Sequence, residues 1–440
     1  MPQHAFPARS YARAIIMLFI AWLSSSADVT LKSDDTVQVV VKGFGALQNG
    51  QIVSGHYASQ TAGSNVKMDH LWLQKGFVNL GTAITYHQRL QVALELEGKI
   101  WRDEAYSNYL EMWEIPEKNY SFYIPRAEAE YAFPDIGPLS VRLGMGIFPY
   151  KYNSDVRNLG EYLFRTRTYP NLVKNEFDMP YARCTGVKLQ TELAGILFQD
   201  ILFTSETDLR PVYDFSLSYI GSISVMKVLK IGAGVDFDRI LPVNPAETTP
   251  HTLSNVSEIN GTDTTYYSFA GIKPMARISF DPKPMLPFAG IFGKEDLRIY
   301  GEAAILGAKK YAGFYDTLMQ RMPMMFGFNL PAFKVLDVLS IEAEWFDSPY
   351  PNSYISVING GPPVPDVNLV LQDPHSYRVD SWKWSLYAKK TLFSHFIMTF
   401  QAARDHIFTE QNFADTRDRQ ETLIKSPDHW WWVLKFGYNL

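Results

Sequence analysis

Residues 428–440 read DHWWWVLKFGYNL. Taken at every second position from Trp430, the stretch gives Trp430, Trp432, Leu434, Phe436, Tyr438 and Leu440, all apolar or aromatic. The positions between include Lys435, Gly437 and Asn439. Side chains of a strand alternate between two faces, so this segment is a strand with one continuous apolar face. Chain ends usually fray unless something ties them down. An end this apolar is expected to be part of a wall. A strand lying in hydrocarbon must pair every N–H and C=O, so it has to close on another strand rather than stand as an edge. As the last strand of a soluble sandwich it would need a second apolar face to cover it, and that is missing.

The same period runs through the chain. Leu90, Val92, Leu94 and Leu96 alternate with Gln91, Ala93, Glu95 and Glu97. Arg126, Glu128 and Glu130 alternate with Ala127, Ala129 and Tyr131; Glu342 and Glu344 alternate with Ile341, Ala343 and Trp345. Reading each such segment predicts about sixteen strands. They cover 36–47, 70–86, 89–102, 119–133, 138–149, 181–192, 197–207, 212–224, 227–240, 265–281, 294–308, 322–330, 335–347, 377–390, 395–407 and 428–440. Their connections alternate between brief turns (HQ, PDIG, LAGI, MK, PAFK, TLFS) and long polar loops (48–69, 103–118, 150–180, 241–264, 348–376, 408–427). Two connections break the alternation: 208–211 is short, and DPKPMLPFAGIFGK is long. SYISVI and VNLVLQ, inside 348–376, would raise the count to eighteen; each is shorter than the 9–11 residues of a tilted membrane strand and reads as a hairpin above the membrane.

The N-terminus adds a destination. Arg9 and Arg13 precede ten apolar residues, Ala14–Leu23, and Ser25 and Ala27 sit where a signal peptidase needs small side chains. This is the layout of a secretory signal, so residues 1–27 are expected to be removed and 28–440 to form the mature barrel. Losing Arg9 and Arg13 takes the formal charge from −5 to −7, which argues against a nucleic-acid partner. Cys184 is the single cysteine, so no internal disulfide forms; export without disulfides fits a bacterial protein. No mature segment is apolar over a helical span, yet 14% of residues are aromatic. Strands, not helices, are the spanning unit such a composition allows.

An alternating meander with short turns at one end, long loops at the other and a closing amphipathic strand resembles the bacterial outer-membrane porins. The closing strand WWVLKFGYNL keeps the alternation but ends in Leu440, where porins usually carry a terminal aromatic. The resemblance implies an all-β, transmembrane, antiparallel up-and-down barrel in a Gram-negative outer membrane. It implies lipid and the barrel-assembly machinery as partners, and small hydrophilic solutes as cargo. It requires no cofactor. A homotrimer is one assembly open to it, the sequence leaving the oligomeric state undetermined. In porins the connection after the fifth strand folds into the lumen. Here that connection is 150–180, with Asp155, Arg157, Glu161, Arg165 and Arg167 as constriction residues and GEYLF (160–164) as an apolar turn inside the barrel.

Nothing in the chain matches a nucleophile elbow, a zincin helix, a phosphate loop or a CxxC pair. His406 and His429 read as structural residues of strand ends, so the chain is not expected to be an enzyme. The polar face carries the function. By parity its acidic set includes Glu95, Glu97, Glu128, Glu130, Glu342 and Glu344, with Asp214, Asp236, Asp238, Asp296, Glu302 and Asp405. Its basic set includes Lys42, Lys75, Arg126, Arg142, Lys383, Lys389 and Lys435, with Lys99, Lys188, Lys230, Lys273, Arg277 and Arg298. A dry interior would have to pair all of these, at high cost, whereas water solvates them; a barrel this wide is also not filled by side chains. Glu95, Glu97, Glu128 and Glu130 form an acidic patch, and Lys383, Lys389, Lys435, Lys42 and Lys75 an opposing basic arc. Such a pair sets a transverse field across the pore, or simply keeps it wet. Asp155 and Glu161 are expected to face the basic arc of Lys42, Lys75 and Lys435. The reading is a diffusion channel for small hydrophilic solutes; the alternatives are a sugar- or anion-selective channel, a barrel enzyme, or a surface adhesin or structural barrel.

Overall fold

The computed structural model describes residues 29–33, 36–54, 56–58, 65–67, 70–103, 120–164, 181–205, 207, 214–241, 257–260, 263–266, 270–308, 318–346, 382–404, 409–411, 419–421 and 430–439. Sixteen strands form its wall. They are β1 (Val37–Ser54), β2 (Leu71–Tyr86), β3 (Leu90–Asp103), β4 (Tyr120–Ala132), β5 (Leu139–Tyr150), β6 (Ala182–Leu193), β7 (Leu197–Ser205) and β8 (Phe215–Val225). The second half is β9 (Leu229–Leu241), β10 (Gly271–Phe280), β11 (Ile299–Ala304), β12 (Met324–Asn329), β13 (Val338–Trp345), β14 (Trp382–Leu392), β15 (Phe396–Arg404) and β16 (Trp430–Asn439). Each pairs antiparallel with the next, and β16 pairs with β1 from Asn439↔Phe44 to Trp430↔Ser54. The sheet therefore closes, and the C-terminal strand is part of the wall as its alternation requires.

β1 runs to Ser54, seven residues past its expected end, because Gln48–Ile52 have strand partners on both sides: Lys435–Trp431 in β16 and Lys75–Leu71 in β2. Conversely, β11 is confined to Ile299–Ala304 inside the expected 294–308. The wall closes without SYISVI and VNLVLQ, which lie outside the described residues. One element was not expected. Val29–Ser33 pairs with Gln38–Val41 on the same edge of β1 that β16 occupies from Phe44 onward. Two chain segments thus share one seam, and the stretch of edge beyond Asn439 is covered by the residues that precede β1.

The brief turns set the register. His87 and Gln88, Met226 and Lys227, and Phe393 and Ser394 all have positive φ, the geometry whose twist matches flanking strands. Arg89 N donates to Tyr86 O at 3.0 Å and Val228 N to Val225 O at 3.0 Å. The long connection 281–298 lies at this same end. It holds two single 3-10 turns, Lys283–Met285 and Ala289–Ile291. It is clasped to the neighbouring turn 330–337: the Asp296 carboxylate accepts from Gly293 N at 2.8 Å and Phe333 N at 3.0 Å. Asp296, expected on a strand, is therefore a turn residue. At the opposite end the described parts of the long loops include three small hairpins, 56–58 with 65–67, 257–260 with 263–266 and 409–411 with 419–421.

The outer face is apolar and exposed. Val92, Leu94 and Leu96 are 45%, 47% and 52% accessible, while Ala93 between them is 3%. Met145, Ile231, Ile278, Phe326 and Ile341 continue the belt around the wall. So large a contiguous apolar surface is foreign to a soluble monomer. Aromatic rings border it at both ends. At the long-loop end Trp72 meets Trp432 edge-on at 5.8 Å, with Trp382 and Trp430 exposed nearby in sequence register. At the turn end Tyr131 meets Phe133 at 5.0 Å, and Phe396 stacks on Phe436 at 6.1 Å. The buried core lies inside the barrel. Phe148, Tyr150, Cys184, Leu202, Ile220, Met275, Tyr300 and Met325 on the inner wall enclose Val156, Leu159, Tyr162 and Leu163 from the connection after β5. Among the described residues no helix is long and apolar enough to cross a membrane.

Candidate functional site

The connection after β5 turns inward as soon as the strand ends, and residues 151–164 lie against the inner face of β10–β13. Three wall carboxylates hold it there. Glu342, 1% accessible, receives Arg157 N at 2.5 Å, Asn158 N at 2.8 Å, Leu159 N at 2.9 Å and the Tyr300 hydroxyl at 2.9 Å. Glu302 receives the Tyr152 hydroxyl at 2.5 Å, Asn153 Nδ2 at 2.8 Å and Tyr162 N at 3.0 Å. Glu344 receives the Tyr162 hydroxyl at 2.8 Å and Lys383 Nζ at 3.0 Å. The chemistry explains the choice of residue. A tight turn leaves several backbone N–H groups aimed the same way with no ladder partner, and a carboxylate offers two oxygens with about four lone-pair sites to take them.

The chain reverses at Gly160 (φ +93°) and Glu161 (φ +58°). A Cβ at Gly160 would sit 3.0 Å from Val156 and 3.3 Å from Met325, so both conformation and space require glycine. The following 3-10 turn, Tyr162–Phe164, buries Tyr162 and Leu163. Cations complete the attachment. Arg298 Nη1 reaches Asp155 Oδ1 at 2.8 Å, Lys273 Nζ donates to Leu163 O at 2.7 Å, and Arg277 Nη1 donates to Tyr152 O. Burial, and then the Glu302 charge, push the Tyr152 hydroxyl well above its ordinary pKa, so it stays a donor.

The charges of this segment do not face the basic arc assigned to them from the sequence. Asp155 is paired with Arg298, Arg157 Nη2 lies 3.5 Å from Glu295, and Glu161 accepts from Asn153 N at 2.7 Å within the segment itself. The N–H groups of the turn had to be met by wall carboxylates, and those are on β11 and β13, away from Lys42 and Lys75. Arg165 and Arg167 lie outside the described residues, as do Asp405, His406 and His429.

The remaining candidates fall into two groups. Lys435 Nζ lies 5.7 Å from the centre of the Phe44 ring and 4.9 Å from that of Phe77, and Lys99 Nζ is 5.4 Å from Phe77. Gln48 stands in register between Lys435 and Lys75, and Thr399 between Lys435 and Lys389. Lys42 is one pleat farther along β1 from Phe44. Lys389, Lys435, Lys42, Lys75 and Lys99 thus stand on β14, β16 and β1–β3. Lys383 is set apart from them, since Glu344 takes its charge where both are buried. The expected acidic patch is also largely compensated: Arg126 lies 2.9 Å from Glu128 and 3.8 Å from Glu95. Lys188 bridges Glu128 and Glu130, the latter at 2.9 Å, and the Tyr123 hydroxyl donates to Glu97. Arg142 projects from β5 and is exposed. Parity placed all of these on the inner face. The partners come from neighbouring strands whose alignment parity does not give. Tyr152, Asn153 and Tyr162, which make the anchoring contacts, carried no signal beyond lying in the inward connection. Among the described residues no group of three or more His, Cys, Asp or Glu is placed to hold a metal ion.

No protein-family model matches the chain, and no curated protein matches it. Solved structures of porins do align over its length. The Salmonella typhi OmpF in complex with daunomycin aligns at 10% identity and a TM-score of 0.47, covering 93% of this chain and 99% of that one. An engineered variant of the Rh. blastica porin aligns at 6% identity and a TM-score of 0.41, covering 91% and 100%.

Proposed function

We propose that this chain is a porin-like channel of a bacterial outer membrane, through which small hydrophilic solutes diffuse. The observation that carries the reading is residues 151–164, held by Glu302, Glu342 and Glu344 against the inner wall of a closed barrel lined with ionic side chains. A barrel of sixteen strands is wide enough for an aqueous lumen, and a segment fixed inside it narrows the path and sets what passes. The exposed apolar belt with aromatic borders supports a membrane setting. Export through residues 1–27 fits as well, since cleavage after Ala27 leaves Val29–Ser33 in place on the β1 edge.

The test is conductance. Purified, heat-modifiable protein added to a planar bilayer is expected to give discrete ohmic steps. Removing Asp155–Arg167 is expected to enlarge them. A folded barrel that inserts without conducting would overturn the channel reading in favour of an enzyme or an adhesin, and a deletion that folds but leaves the step unchanged would take the segment out of the conduction path. Swelling of liposomes in sugars of graded size separates general from selective passage.

A further inference from the structure

Behind the inward segment, toward the turn end of the wall, β5–β10 enclose a cavity of about 250 Å³. Arg142, Lys151, Lys230 and Arg277 line it, against Glu192 and Asp200. Neither carboxylate makes an ion pair with Arg142, Lys230 or Arg277 among the described residues, and the lining keeps an excess of cations. Asp200 is occupied by the Tyr150 hydroxyl at 2.6 Å and Gln190 Nε2 at 3.1 Å. Among the described residues Arg142, Lys230 and Arg277 have no ion-pair partner. Arg277 spends one nitrogen on the Tyr152 carbonyl, and its Nε is buried with nothing to donate to. Gly232, directly opposite Arg277 in register, makes room for that side chain: a Cβ there would sit 2.6 Å from Nε. Lys230 Nζ hangs 5.5 Å from the Phe198 ring, and Ile220 adds a second apolar surface.

A water-filled polar void does not need four cations against two carboxylates, three of those cations without an ion pair among the described residues. Leaving a buried donor unmet costs free energy that a bound acceptor recovers. We propose that this cavity is a binding site for the oxyanion group, carboxylate or phosphate, of a small organic anion. Arg277 and Lys230 hold the oxyanion, Arg142 stands at the open side as its first contact, and the remainder of the solute lies along Phe198 and Ile220. The site makes the channel selective for small organic anions. It rests on the reading of the interior as a solute path, but it is tested separately from conduction.

Isothermal calorimetry on the detergent-folded full chain, with inorganic phosphate and with succinate at fixed ionic strength, reads the site whether or not the protein conducts. Saturable binding is expected for at least one of them and none for chloride; which anion binds tells phosphate from carboxylate recognition. Removing charge-assisted bonds with Lys230→Gln and Arg142→Gln together is expected to weaken binding at least about tenfold. Gly232→Ala, which displaces Arg277 without removing any charge, is expected to weaken it as well. Lys227→Gln, in the turn beyond the cavity, is the control and should change nothing. Heats no different from those of chloride, or equal affinity in the folded double variant and in Gly232→Ala, would overturn the assignment. Binding without any conductance steps would leave the site standing and sink the channel reading alone.

Discussion

Replacing Glu342 by glutamine is the sharpest test of how the inward segment is held. The change keeps the size and shape of the side chain and removes one acceptor oxygen. Oε1 receives Arg157 N and the Tyr300 hydroxyl; Oε2 receives Asn158 N and Leu159 N. If the NH₂ takes the place of Oε2, Asn158 N and Leu159 N both lose their acceptor; if it takes the place of Oε1, the Tyr300 hydroxyl turns to accept from it and Arg157 N alone is left unmet. Hydrogen bonds to a charged acceptor contribute about 1.5–3 kcal/mol each, so the loss of the Arg157 N bond in the less costly orientation weakens docking of the segment by about that amount. Strand pairing of β13 is untouched, because Glu342 enters the ladder through its backbone, opposite Gly327 and Ser385. The wall should therefore stay folded, with a normal heat-dependent gel shift, while the segment becomes mobile. In single-channel recordings the expected result is a larger mean conductance with added open-channel noise. Glu130→Gln, a lumen carboxylate remote from the segment, is the matched comparison. If Glu342→Gln folds and its conductance and noise equal those of the parent, the carboxylate is not what holds the segment.

Other parts of the structure are open to equally direct tests. Lys383→Met leaves Glu344 charged in a site where both side chains are fully covered; breaking a buried pair by removing one partner costs about 3–5 kcal/mol. Its thermal midpoint should fall, and adding Glu344→Gln should restore part of the loss. Leu94→Arg places a charge on the exposed apolar face at about 2–4 kcal/mol near mid-membrane, whereas Gln91→Arg faces the lumen; equal folding yields in lipid vesicles would mean the faces are reversed. Deleting Phe436–Leu440 removes the partners of Phe44–Leu47 in β1 and of Phe396–Met398 in β15. The truncated chain should fail to show the folded band on unheated gels, and normal assembly would show that the seam tolerates an open edge.

The sequence by itself determined the wall. Period-2 alternation is a property of each strand alone, so Leu94 outside and Glu95 inside could be read from β3 without any neighbour. The apolar face of Trp430–Tyr438 likewise required closure, because an unpaired edge in hydrocarbon is too costly. Turn chemistry and loop length then gave the order of the strands. What only the tertiary structure decided was which charge meets which. Side-chain pairing across a sheet depends on stagger, and bulges such as those between Glu95 and Glu97 in β3 or Ile52 and Ser54 in β1 shift it without altering the alternation. Lys383 and Glu344 look alike as lumen residues until register sets them opposite each other. The inward segment shows the same limit more strongly. Its N–H groups, not its charged side chains, chose the face it docks on, and backbone donors carry no sequence signal. Glu302 and Glu342 therefore became its anchors, and Arg277 was left reaching into a cavity that no strand pattern outlines.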